Sequence, residues 1–166
     1  MLDPENGKII SRTISQRLSE ISPQHAPIFQ NNQKAFETQL NNAIAKWEDQ
    51  LKPYQGIKVV AYHNSWAYFV KRFGFNVVGY VEPKPGIPPS PAHVNSLIPL
   101  MKKEDVKLII MEPYFSQSIP NLLARETGAT VLVLPPSVGG KKGIKTYIDL
   151  FDHLVEKIST NLLKGT

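Results

Sequence analysis

The chain up to Gly56 carries the hydrophobic spacing of helices. Between Phe29 and Leu51, large apolar residues recur mostly at steps of three and four positions, which places them on one face of an α-helix. Such a helix is about 37 Å long at 1.5 Å per residue. The pattern therefore predicts one long helix, ended by the segment Pro53–Gly56. The residues of its apolar face are Phe29, Phe36, Leu40, Ile44, Trp47 and Leu51.

A shorter amphipathic helix is predicted before the long one. Asp3 is a good cap for it, and Pro4 suits its first position because that residue needs no backbone N–H partner. Pro23 and Pro27 are predicted to separate the two helices. The apolar residues of the shorter helix are Ile9, Ile10, Ile14, Leu18 and Ile21.

After Gly56, short apolar runs alternate with helical stretches. The predicted strands are Lys58–Tyr62, Asn76–Val81, Lys107–Met111 and Thr130–Leu134. The predicted helices are Ser65–Phe73, Ser90–Lys103, Gln117–Thr127 and Thr146–Leu162. The strands lack polar alternation, as expected when both faces of a parallel sheet are covered. We therefore predict an α/β fold, in which a four-stranded parallel sheet is sandwiched by helices and preceded by the long helix.

Composition restricts the classes of function. The 166 residues suit one globular domain, and 42% hydrophobic residues are enough for a packed core. The net charge of +5 comes in small basic pairs rather than in a block, so we predict no nucleic-acid partner. No apolar run approaches the roughly 18 residues of a membrane span, so we predict no transmembrane segment. The lack of cysteine excludes disulfides, thiolate ligands and cysteine nucleophiles.

Candidate chemistry lies where the predicted strands end. His63, Glu82 and Glu112 follow the first three strands, and ligands of open parallel sheets bind outside the carboxyl ends of the strands. A histidine with carboxylates suits Zn²⁺ or Mn²⁺. Two interpretations of the residues alone stay open. This rim is a metal site, including that of a metal-assisted hydrolase, or His63 is an ordinary loop residue bonded to nearby backbone.

Other sequence features do not point to a reaction. His25, His93 and His153 lie in a linker, in a first helical turn and in mid-helix, and are predicted to be structural or incidental. The sequence contains no Gly-x-Ser-x-Gly elbow, and no Gly-x-Gly-x-x-Gly follows the first strand. Residues 139–146 differ from a phosphate loop, because Ile144 stands where glycine is required. The sequence favours binding over catalysis.

An ordered series of motifs runs through the chain. Residues 61–69 have the sequence AYHNSWAYF, followed by FGF at 73–75, and residues 111–116 have the sequence MEPYFS. The first resembles the segment of the zinc/manganese solute-binding proteins of ABC transporters in which a metal-binding His or Glu precedes a helix ending in Tyr-Gly-Leu. The second resembles their strand ending in Ala-Glu-Pro-Gln-Phe. Arg125–Ala129 and Thr146–Leu150 resemble further segments, and Leu2–Asn6 is similar to the stretch after their His-x-Trp motif.

The resemblance implies two βα lobes joined by a long linker helix, with the metal clamped between the lobes. Residues 1–56 would contain the linker helix and residues 57–166 the C-terminal metal-binding lobe, while an N-terminal lobe carrying two histidine ligands is missing. The third ligand of the family maps onto His63. The fourth, an Asp in many manganese-type members, aligns with Lys145, which favours the zinc branch. Glu112 matches a motif glutamate implied to support the site, and Glu82 is a second candidate for such support.

The function implied by the resemblance is metal capture without catalysis. This chain would be the C-terminal portion of a periplasmic or cell-surface anchored protein that delivers zinc, or alternatively manganese, to an ABC permease. The start of the chain resembles no signal peptide, as expected for a truncated chain. A small metal-assisted hydrolase and a docking lobe without metal function are the alternatives.

Two further expectations come from the missing lobe. With one of the usual ligands present, this chain alone should bind Zn²⁺ weakly, because transport sites rely on three or four protein ligands. The Phe29–Leu51 helix should expose its apolar stripe, because one of the two lobes that cover it is missing. Self-association through that stripe, or through the bare face at the ends of the strands, is then expected.

Overall fold

Helices and strands alternate through residues 2–163, which the computed structural model describes. Its six α-helices are α1 (Glu5–Ile21), α2 (Ala26–Leu51), α3 (Ala67–Phe73), α4 (Pro91–Lys103), α5 (Ser118–Thr127) and α6 (Tyr147–Leu163). Its four strands are β1 (Lys58–Ala61), β2 (Asn76–Tyr80), β3 (Leu108–Met111) and β4 (Thr130–Val133). Every element after Gly56 lies within two residues of its predicted bounds. The predicted alternation is confirmed.

The four strands form one parallel sheet in the order β2-β1-β3-β4. β1 is central, and its Val59 pairs with Val77 on one side and with Leu108 on the other. On β3, Ile110 pairs with Leu132 of β4. The predicted four-stranded parallel sheet is confirmed, and the carboxyl ends of all its strands meet at one edge.

Helices cover both faces of the sheet. Val59 and Ala61 of β1 face the core formed with α2, α3 and α6. Val60 of β1 and Ile109 of β3 face the opposite core, formed with α4 and α5. Because successive strand residues point to opposite faces and both faces are buried, the strands have near-continuous apolar sequences.

The prediction that the long helix exposes its apolar stripe is wrong. The buried residues of this stripe are Leu40, Ile44, Trp47 and Leu51. The Trp47 ring stacks on Phe151 of α6 with centroids 5.1 Å apart. Its Nε1 donates a hydrogen bond of 2.8 Å to Asp152 Oδ1. Helix α6 therefore covers the C-terminal half of α2 within the same chain.

The exposed apolar surface lies on α1 instead. Ile10, Ile14, Leu18 and Ile21 follow one another at steps of four, four and three residues, and we call them the α1 stripe. They are 46%, 54%, 40% and 79% exposed. α1 packs on α2, and its own buried residues are the small Gly7 and Ser15. The helix is amphipathic as predicted, but its large apolar residues do not provide its buried contacts.

The start of α1 is anchored where the sequence predicts it, by the side chain of Asp3, whereas Pro27 does not end the helical pattern. Asp3 Oδ1 accepts a hydrogen bond of 3.0 Å from the Glu5 N–H, as expected of a cap. The same carboxylate binds Arg72 Nε of α3 at 2.8 Å. Pro27 was expected to break the helical pattern, but it lies in the first turn of α2, where its missing N–H is tolerated.

Candidate metal-binding site

His63 lies at the carboxyl edge of the sheet, two residues after the end of β1. Its backbone is extended, with φ −128° and ψ 165°, and a 3₁₀ turn over Asn64–Trp66 follows before α3 begins. The side chains of Trp66 and Phe69 are fully buried and anchor this connection. The predicted position of His63 outside the end of β1 is therefore confirmed, although the helix after it begins two residues later than predicted.

Glu82 meets His63 at this edge. Its backbone N–H continues the pairing of β2 with β1 by donating to the Tyr62 carbonyl at 2.9 Å. Its Oε2 forms a hydrogen bond with His63 Nδ1. Its Oε1 accepts a hydrogen bond of 2.8 Å from the Gly86 N–H. The Glu82 side chain is 8% exposed, whereas that of His63 is 29% exposed, so the imidazole faces solvent and the carboxylate lies behind it.

Aromatic rings line the site on the side of β3. Phe115 stacks on Tyr62 with centroids 4.3 Å apart and lies 6.0 Å from the His63 ring. Burial raises the pKa of the Tyr62 phenol, and the negative charges of Glu82 and Glu112 raise it further. Both effects disfavour the ionised phenolate of Tyr62.

Glu112 does not join His63 and Glu82. It is fully buried at the end of β3, and neither of its carboxylate oxygens has a hydrogen-bond partner among the described residues. Within residues 2–163, no three His, Asp or Glu side chains come together as a metal site. The three-ligand rim required by the hydrolase hypothesis is therefore not assembled in the described part of the chain.

Lys145, at the position that aligns with the family's fourth ligand, lies before α6. Its backbone N–H donates to Asp149 Oδ2 at 3.1 Å, and the Thr146 N–H donates to the same oxygen at 2.9 Å. Hydrogen bonds from Thr146 and from the Lys145 amide lower the pKa of Asp149. The Asp149 carboxylate therefore accepts backbone hydrogen bonds at the start of α6 from residues next to it in sequence.

Sequence reasoning missed two neighbours of the site, Phe115 and Gly86. It predicted His93 to be structural or incidental, and the structure shows its contact. His93 Nε2 donates to the Tyr80 carbonyl at 2.9 Å, which fixes α4 against the end of β2. Gly86 follows Pro85, and a Pro-Gly pair predicts a tight turn. That turn could have been predicted from the sequence, but its contact with Glu82 could not.

Solved structures with this fold define a class of protein, the metal-ion solute-binding proteins. The crystal structure of ZnuA matches with a TM-score of 0.82 at 25% identity, covering 96% of this chain and 59% of that chain. A Zn(II)-bound variant of AdcAII from Streptococcus pneumoniae matches with a TM-score of 0.78 at 26% identity, covering 97% and 59%.

The sequence comparisons give the family. The family model for the periplasmic zinc-uptake complex component A, ZnuA, matches residues 1–161, and the chain belongs to this family. The high-affinity zinc uptake system protein ZnuA of Brucella abortus is 28% identical over 97% of this chain and 47% of its own length. The manganese-binding lipoprotein MntA of Bacillus subtilis is 29% identical over 90% and 52%. The chain thus spans about half the length of these relatives, and the resemblance inferred from its motifs is confirmed.

Proposed function

We propose that this chain is the C-terminal portion of a periplasmic binding protein that captures zinc and delivers it to an ABC permease without transforming it. Membership of the zinc-uptake family supports this proposal, as do the zinc- and manganese-binding relatives. The observation that carries it is the orientation of His63, whose Nδ1 contacts a buried carboxylate while its ring is partly open to solvent. Manganese is the alternative metal.

His63 is the proposed ligand on this chain. One imidazole leaves a cation mostly hydrated, whereas zinc sites in proteins use three or four protein ligands. Since no three-residue cluster forms within the described residues, the remaining ligands would come from an N-terminal lobe like that of the longer relatives. Domain boundaries at 1–56 and 57–166 suit such an arrangement.

The α1 stripe is the proposed contact surface for that lobe. The accessible surface of the chain is 9431 Å². A compact monomer of this mass has about 8,200 Å² of accessible surface. The excess in this chain is larger than the roughly 800 Å² that one partner buries in a standard interface. The relatives are about twice as long as this chain, so the proposal commits to an α/β lobe as the occupant of the stripe.

A zinc titration tests the metal-binding role. In NMR spectra of the isolated chain, Zn²⁺ should shift the His63 ring signals with an affinity weaker than micromolar. His63→Ala should abolish the zinc-dependent shifts of neighbouring groups such as the Phe115 ring, whereas His153→Ala, which removes a histidine far along the chain, should leave them unchanged. Mn²⁺ should broaden signals around His63 in the same manner.

Each contrary result points to another function. If zinc leaves His63 unaffected, the docking lobe without metal function is favoured. A submicromolar one-to-one site in calorimetry would show that this chain holds a complete site, which would revive the hydrolase hypothesis. The genomic sequence upstream of the Met1 codon gives a separate test, because a frame encoding His-x-Trp there would support the missing lobe.

A further inference from the structure

We propose that Glu82 is a positioning residue that orients the His63 ring and fixes its proton on Nδ1, so that Nε2 presents its lone pair to the metal. The proposal rests on the proposed function for the metal itself. Its structural content, the tautomer and orientation of His63, can be tested separately.

The hydrogen bond between the two side chains fixes the proton. An ionised carboxylate only accepts hydrogen bonds, so in a neutral imidazole the nitrogen that contacts Glu82 Oε2 carries the hydrogen. The other nitrogen, Nε2, then has a free lone pair, and no hydrogen bond reaches it within residues 2–163. The exposed 29% of the His63 side chain leaves it accessible to an ion. Carboxylates that bind the far nitrogen of a metal-ligating histidine fix its tautomer and raise its basicity.

A tight turn holds the Glu82 carboxylate in place. The Ile87 N–H donates to the Lys84 carbonyl at 3.0 Å, which closes a four-residue turn with Pro85 and Gly86 at its centre. Gly86 has φ +75°, the conformation that a type II turn requires at its third position. The turn points the Gly86 N–H at Glu82 Oε1, so both carboxylate oxygens are bonded. Glu82 is therefore fixed before any metal arrives.

The His63 ring is confined on two sides. Glu82 holds its Nδ1 edge, and the ring of Phe115 lies 6.0 Å away at an interplanar angle of 42°. The backbone next to both residues is tied to the end of the sheet, because the Glu82 N–H donates to the Tyr62 carbonyl next to His63. This constraint gives the ring one orientation and so lowers the entropy lost on binding an ion.

The experiment compares the tautomer of His63 and the zinc affinity in matched variants. Long-range ¹H–¹⁵N spectra near pH 8.5, where ordinary histidines are neutral, assign the protonated nitrogen. Glu82→Ala removes both hydrogen bonds, whereas Glu82→Gln keeps a carbonyl acceptor of the same shape. Glu104→Ala is the control, because this carboxylate pairs with Lys58 at 2.7 Å at the opposite end of β1.

We expect the Nδ1–H form in the unmodified chain and in Glu104→Ala. In Glu82→Ala the proton should move to Nε2 in a large share of molecules, and zinc affinity should fall at least tenfold, in the range seen when such partners are removed. Glu82→Gln should lie between the two. Thermal unfolding of each variant by circular dichroism shows whether the fold persists.

The proposal is overturned if His63 carries its proton on Nε2 in the unmodified chain. It is also overturned if a folded Glu82→Ala variant keeps both the tautomer and the zinc affinity. If Glu82→Ala does not fold, Glu82→Gln decides by the same two measurements. A correct tautomer in a chain that binds no zinc would refute the proposed function while leaving the positioning by Glu82 established.

Discussion

The α1 stripe provides the sharpest quantitative test, namely self-association of the isolated chain. Fully burying an aliphatic side chain gains about 1.5–3 kcal/mol relative to exposure. The four residues of the stripe are already partly covered, at 40% to 79% exposure, so about 1 kcal/mol for each remains to be gained. A symmetric dimer buries two stripes and gains about 8 kcal/mol.

Association also has a cost. The loss of overall rotation and translation is taken as about 4 kcal/mol, the lower end of its range, which leaves about 4 kcal/mol of net affinity. This corresponds to a dissociation constant on the order of 1 mM. We therefore expect a weak dimer that is visible in sedimentation equilibrium only as the concentration approaches that value. Ile14→Glu should abolish the dimer, because it puts a charge at the centre of the contact.

The control for this experiment lies on the same helix. Ile9 is 60% exposed but lies outside the stripe, because it points about 100° away from Ile10 around the helix axis. Ile9→Glu should therefore leave the dimer intact. A strict monomer at about 1 mM would refute the estimate. Equal effects of Ile9→Glu and Ile14→Glu would refute the assignment of the contact to the stripe.

Three further predictions concern single side chains. Gly86→Ala should lower the free energy of unfolding by about 1–2 kcal/mol in urea titrations, because an alanine is strained at the φ of +75°. The added Cβ would meet open space, so no steric clash contributes. An unchanged free energy of unfolding would argue against the turn. Trp47→Phe should cost about 2–3 kcal/mol, because it opens a gap in the core and removes the indole hydrogen bond to Asp152. An unchanged stability would contradict the packing of α2 on α6. Burial and then the charges of Lys141 and Lys157 lower the pKa of His153, so its contribution to stability is lost as pH falls below about 6.5. Lys141→Gln should raise the His153 midpoint in NMR titrations, and a fixed midpoint would contradict this assignment.

Much of the fold could be predicted because strands of a sheet that is covered on both faces have uninterrupted apolar sequences. Uninterrupted Val, Ile and Leu in the strands indicate a covered parallel sheet, and the position of His63 follows from the end of β1. The periodicity of α2 correctly placed Leu40, Ile44 and Trp47 on one face, although this face was expected to be exposed and these residues are buried. It could not identify the element that buries them, because α6 is more than 90 residues away in sequence and supplies Phe151 as the covering ring.

The site itself was only partly predictable. Placing Glu82 and Glu112 on the same edge as His63 was correct at the level of topology, since both follow parallel strands. The order of the strands does not determine which of these side chains contact each other. Glu82 reaches His63 because the turn at Gly86 holds it there, whereas Glu112 lies buried at the end of β3. Glu82 is therefore bonded to His63, whereas the Glu112 carboxylate has no hydrogen-bond partner among the described residues.

The arrangement of the site and that of the α1 stripe lead to one physical explanation. A binding protein that must release its metal benefits from dividing the ligands between two bodies, because separating the bodies weakens every bond to the ion at once. In this chain His63 is hydrogen-bonded to Glu82, and its Nε2 has no hydrogen-bond partner within the described residues. The apolar α1 stripe is exposed. A lobe that docks on the stripe and completes the ligand set would couple the two surfaces. The binding of the lobe and the binding of the metal would then strengthen each other by the same factor, as thermodynamic linkage requires.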